Sequence, residues 1–92
     1  MVWGGEIAGT VTLVFDHHKR HVQVLLTALQ HDQPGLVMAA MHMHLDHDNC
    51  LEVLVARSKA TAVKKMADQL IGAKGAKHVR LTITSTGRDL PS

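Results

Sequence analysis

Aromatic side chains are nearly missing from this sequence: there is no tyrosine, and Trp3 and Phe15 are its single tryptophan and phenylalanine. Its lysines and arginines are scattered from Lys19 to Arg88. Without a dense basic stripe and interleaved aromatics, nucleic-acid binding by this chain alone is not indicated. Cysteine occurs once, at Cys50, which excludes an internal disulfide and fits a reducing compartment. No run of about 18 apolar residues is present, and the N-terminus lacks a charged region followed by an apolar stretch, so neither a membrane span nor a signal peptide is expected. A cytoplasmic location follows from these absences. Glycine-rich phosphate loops are absent as well, and Ser58 and Ser85 have no histidine and acidic companions at motif spacing, so the chain is not expected to be an enzyme.

What is present is a globular composition, 46% hydrophobic against 20% charged, rather than a disordered one. The 92 residues allow one domain, 1–92, with an ordered core over about 7–84 and loose ends outside it. A chain of this size buries only about two thirds of its unfolded surface, so oligomerisation or a metal would add needed stability.

Residues 7–15 alternate, with Val11, Leu13 and Phe15 on one side and Thr10 and Thr12 on the other, as in a half-buried strand. Asp16 is placed to cap the helix that follows, where Val22, Leu25, Leu26 and Leu29 share one face. Pro34-Gly35 ends it. Residues 36–45 form a strand in which Val37, Ala39, Met41, Met43 and Leu45 are expected to face the helices, with Met38, Ala40, His42 and His44 facing away. Residues 50–56 return as a hairpin partner, with Leu51, Val53 and Val55 inward and Cys50, Glu52 and Leu54 outward. Ser58 is a candidate N-cap for a second helix carrying Ala62, Val63, Met66, Ala67, Leu70 and Ile71, and Gly75 would end it in a left-handed cap. A last strand spans 79–84. The order βαββαβ specifies an α+β, ferredoxin-like antiparallel sheet with two helices on one face. The other face, with Thr10, Thr12, His42, His44, Cys50, Glu52, Thr82 and Thr84, is left for water or another subunit.

The densest chemistry lies in Met41-His42-Met43-His44 and the Cys50 that follows a polar turn, Asp46 to Asn49. Residues two apart on a strand share a face, so His42 and His44 sit about 7 Å apart at the backbone, and the hairpin returns Cys50 beside them. Alternation alone would also suit histidines simply facing water, but a thiol on the same side makes three convergent donors. Imidazole and thiolate suit zinc, copper and nickel alike. A fourth donor is needed, and His31 is the best by type. It ends a helix about 20 Å along the strand from His42 and on the helix side of the sheet, so it is expected to complete the site of another subunit. His17, His18 and His21 read as a solvated helix start, with His17 and His18 as a possible secondary metal site. His47 reads as turn solvation, and His78 carries no partner signal.

These residues resemble the C-terminal regulatory domain of nickel-responsive transcriptional regulators of the NikR type. The likeness runs from about Gly9 to Thr84. It rests on Asp16-His17-His18-Lys19-Arg20, Gln30-His31, the strand bearing His42 and His44, and His47-Asp48-Asn49-Cys50-Leu51-Glu52. It implies an ACT-like domain that assembles as a homotetramer and binds Ni(2+) in a planar site, with His42, His44 and Cys50 from one chain and His31 from a neighbour. Gln30 and Glu52 become candidates for groups that hydrogen-bond behind the ligands. The family's N-terminal ribbon-helix-helix DNA-binding domain has no counterpart ahead of Ile7, so DNA contact is expected only through a domain missing from this chain. The function expected is nickel sensing for a transcriptional regulator. The rival is a stand-alone nickel or other transition-metal binding or storage protein using the same residues; an ACT-like domain taking a small organic effector is a third reading.

Overall fold

The computed structural model describes residues 6–85. They form β1 (Glu6–Asp16), α1 (His21–Asp32), β2 (Val37–His44), β3 (Asn49–Lys59), α2 (Ala60–Ile71) and β4 (Ala76–Ser85). The strands make one antiparallel sheet in the order β2-β3-β1-β4. This is the ferredoxin-like arrangement expected from the order of elements.

The alternation of β1 places Ile7, Val11, Leu13 and Phe15 on the helix side, where all four are buried. Val22, Leu26 and Leu29 of α1 and Val63, Met66, Ala67 and Leu70 of α2 close the core over them. Gly9 eases the close approach of β4 and α2 to β1: a Cβ there would lie 3.1 Å from the Thr82 carbonyl oxygen and 3.5 Å from Val63 Cγ1. Cover over the sheet is uneven. After Val37, every residue of the edge strand β2 is exposed.

The faces of the β2-β3 hairpin are the reverse of those expected. Cys50, Glu52, Leu54 and Ala56 are buried on the helix side, opposite Phe15, Leu13, Val11 and Gly9 of β1. His42 and His44, paired with Glu52 and Cys50, lie on that side too. Met41, Met43 and Val55 occupy the open face and are 60%, 42% and 41% exposed. Two causes combine. Both alternate sets of β3 are apolar, so its pattern does not choose a face, and a slip of one residue inverts every side chain. In β2 the register shifts between Val37 and Ala39, where Val37 pairs with Ala56 and Ala39 already pairs with Val55. Val37 does pack against the core, but the extra residue, Met38, reverses the parity of everything after it.

Several element ends also differ. Asp16 ends β1 and caps a turn rather than α1, whose N-cap is Arg20 with no side-chain cap bond. Ser58 lies within β3, and α2 starts after Lys59. Gly75 has the expected left-handed backbone, φ +95°, but it turns the chain into β4, while α2 ends at Ile71. His78 lies inside β4.

Candidate metal centre

Two tight turns position the donors. In the β2-β3 turn, one Asp46 carboxylate oxygen accepts the backbone N–H groups of Asp48 at 2.9 Å and Asn49 at 2.8 Å, together with the Asn49 side-chain amide. These bonds, led by the Asn49 side chain, hold the Asp46 carboxyl below the usual carboxylate range. Leu45 N–H donates to Asn49 O, which closes the hairpin and sets His44 opposite Cys50. In the β1-α1 turn, Asp16 accepts His18 N–H at 2.9 Å. His17 N–H donates to Asp48 O at 2.7 Å and ties the two turns together.

Cys50 Sγ lies 3.5 Å from His44 Nδ1 and 3.4 Å from His17 Nδ1. The His17 and His44 rings meet edge to face with centroids 4.5 Å apart, and the His42 ring is 5.6 Å from that of His44. His42 Nδ1 is 2.7 Å from Glu52 Oε1. Donation of an Nδ1–H to that buried carboxylate leaves Nε2 as the nitrogen available to a metal, the usual role of a carboxylate behind a histidine ligand. Burial pushes the Cys50 thiol up, and the Glu52 and Asp46 carboxylates add to the effect.

The structure gathers His42, His44 and Cys50 on one side of one hairpin. Within the chain, the ligating atoms of His17, His44 and Cys50 come within 4.8 Å of one another. His17 is therefore a member of the cluster that sequence reasoning placed at a solvated helix start. Its place follows from strand pairing that the sequence does not state: β1 lies beside β3 with Phe15 opposite Cys50 and Asp16 opposite Asn49, so the chain leaving β1 at His17 passes the hairpin end that carries Cys50. His18 is drawn instead to His47 and Asp48. His31 is exposed in the last turn of α1 and lines a shallow groove with Arg20, Gln23, Val24, Thr27, Ala28 and Asp32. Gln30 is likewise exposed on α1. Since His42 proves to lie on the helix side, opposite faces no longer separate it from His31; the length of β2 between them does.

A buried thiol, imidazole nitrogens and a carboxylate behind one ring fit a borderline first-row metal better than a hard oxygen-seeking ion. The family model described as the NikR C terminal nickel binding domain matches residues 8–84. The chain belongs to this family. Among relatives provisionally curated as nickel-responsive regulators, that of Solibacter usitatus is 54% identical over 92% of this chain and 61% of its own length. That of Geobacter sulfurreducens is 56% identical with the same coverage. This NikR-type domain thus spans about three fifths of the relatives' length. Its fold is shared with the ACT domain of Chlorobium tepidum GTP pyrophosphokinase, at a TM-score of 0.68 and 13% identity, covering 84% of this chain and 99% of the other. An uncharacterized Thermotoga maritima protein superposes with a TM-score of 0.67 at 12% identity, covering 88% of this chain and 98% of the other.

Proposed function

We propose that this chain is the nickel(II)-sensing domain of a metal-dependent transcriptional regulator and holds nickel at sites shared between the subunits of a homotetramer. His42 through Nε2, His44 and Cys50 would supply three donors from one chain and His31 the fourth from a neighbour. The observation that carries the reading is the placement of His42 and His44 on the helix side of β2, where neither helix covers the strand, with the buried Cys50 of β3 opposite His44. A second copy has room to bring a helix end there. Family membership and the names of the relatives support nickel as the metal. Their extra length is the natural place for the DNA-binding part. Bound nickel would link two subunits and favour one quaternary state by mass action, which is the linkage a sensor needs. Four protein donors leave no position for a reacting water, which supports a binding rather than a catalytic role. No helix among the described residues is long and apolar enough to cross a membrane, and a free thiol suits the cytoplasm.

The test is the absorption spectrum on adding nickel, read together with sedimentation. A thiolate-to-nickel charge-transfer band that is lost in Cys50→Ser and His42→Ala, and that accompanies a tetramer, is the expected result. Zinc binding without any nickel band would overturn the metal assignment. The storage reading draws support from His17, which gives a single chain three close donors. It predicts full nickel binding by a monomer and no change of assembly with metal.

A further inference from the structure

Lys77 lies across β1 from the strand that bears Cys50, yet its side chain reaches the turn beside that cysteine. The Lys77 ammonium donates to Asn49 Oδ1, and the Asn49 side-chain amide donates to the two Asp46 carboxylate oxygens at 3.1 and 3.2 Å. Asn49 is the residue before Cys50, and its carbonyl closes the hairpin that sets His44 opposite Cys50. We propose that Lys77 is a positioning residue for the metal centre: its cation, supplied from β4, locks the turn from Asp46 to Asn49 and so fixes Cys50 against His44. That role takes the nickel-binding reading of Cys50 and His44 as its basis.

The register of the sheet explains the reach. β1 separates β3 from β4, a gap of about 10 Å at two strand spacings. Val14 of β1 pairs with His78 and Phe15 with Ala76, so Lys77 is the extra residue of a bulge and is released from the alternation that fixes its neighbours. The Asp16 N–H donates to Gly75 O at 2.8 Å and holds the start of β4 against the end of β1. From there the flexible four-carbon stem of lysine carries the ammonium to Asn49.

Charge gives the contact a direction. An ammonium can only donate and a carboxylate can only accept, so the Asn49 amide has one orientation that satisfies both Lys77 and Asp46. Turned over, it would set its own N–H groups against the ammonium and its oxygen against the carboxylate. The same Asp46 carboxylate holds the backbone N–H groups of Asp48 and Asn49, so side chain and main chain are fixed together. Lys77 is exposed and Asn49 half-buried, and a surface contact of this kind adds little to global stability. Its effect is local: a turn already ordered leaves less to be fixed when Cys50 and His44 take a metal.

Lys77→Met in the 92-residue chain removes the cation and keeps the stem, and two readouts test it. Without metal, amide hydrogen exchange followed by NMR should be several-fold faster at Asp48 and Asn49 and unchanged in the core strands, with the melting temperature near wild type. With nickel, affinity should fall about tenfold, the low end of the scale for groups behind metal ligands, and the thiolate charge-transfer band should shift or broaden. Lys77→Arg, which keeps the charge, should restore both protection and affinity, whereas Lys65→Met on the exposed side of α2 should alter neither. Wild-type exchange at Asp48 and Asn49 in Lys77→Met overturns the clamp. Faster exchange with unchanged nickel affinity and band overturns the positioning role, and so does a loss in Lys77→Arg as large as in Lys77→Met. Absence of any nickel band in the unaltered chain would count against the sensor reading instead, with the metal-free exchange still deciding the clamp.

Discussion

At Cys50, the proposed thiolate donor, burial sets the chemistry that metal capture would meet. Its thiol titrates above the ordinary value of 9.0, because the folded chain keeps its sulfur from water and places two carboxylates nearby. A metal takes the thiolate, so binding near neutral pH must expel the thiol proton. Apparent nickel affinity is therefore expected to rise about tenfold per pH unit from roughly pH 7.5 to 8.5, levelling only above the raised thiol value. A competition titration against a chelator at several pH values gives the slope, and a flat profile would exclude thiolate ligation. Glu52 acts through His42. In Glu52→Gln a carboxamide replaces the carboxylate that fixes the ring's tautomer, and nickel affinity should fall by about 10–100-fold. The charge-transfer band should persist, since Cys50 is untouched. Residue types were the legible part of this scale: two histidines and a cysteine on one side of a hairpin follow from spacing alone. The role of His17 was not legible, because it depends on which strand lies beside β1.

The elements show why parity counts fail. Reading β2 from Val37 by twos gives the wrong face for His42 and His44, while reading backward from the turn, where His44 faces Cys50, keeps them with Cys50 throughout. The bulge at Met38 absorbs the difference. This predicts that deletion of Met38 leaves the register from Ala39 to His44 unchanged, with the nickel band retained at near wild-type affinity. Deletion of Met43 would bring His42 next to His44 and break the pairing, and the band should disappear. Spectra of the two deletion variants under the same nickel titration distinguish the cases. Strand and helix existence was legible because hydrophobic periods of two and of three to four alternate cleanly along the chain. Faces of the hairpin were not, since Leu51, Val53 and Val55 are as apolar as Cys50, Leu54 and Ala56.

For the whole molecule, the pertinent fact is that the two helices leave β2 bare. A neighbouring chain is the proposed cover, with His31 as its contribution. Mixing provides the check. His31→Ala chains keep Cys50 and Cys50→Ala chains keep His31, so neither alone should give the nickel band. Mixed and reassembled tetramers should recover a fraction of it. No recovery, with mixed tetramers shown to form, would place His31 outside the site. Nickel at about 100 times its dissociation constant should stabilise the assembled state by about 2.7 kcal/mol, which thermal unfolding with and without a chelator would register. The expectation of a second chain rests on an arithmetic of reach, and the argument from opposite faces that accompanied it does not hold.

The position of β1 has a mechanical consequence. It is paired along its length on both sides, by β3 and β4, and its end at Asp16 leads directly into the His17 that touches Cys50. Its other end, at Glu6, lies about 35 Å away at the rise of an extended strand. A strand clamped in this way cannot be shortened or bent without tearing two ladders. It behaves as a stiff lever arm, and a rotation of one subunit about its metal contacts would sweep the Glu6 end through an arc scaled by that length. Small angular adjustments at the proposed metal contacts would thus become displacements of several ångströms at the far end of β1, with no refolding in between.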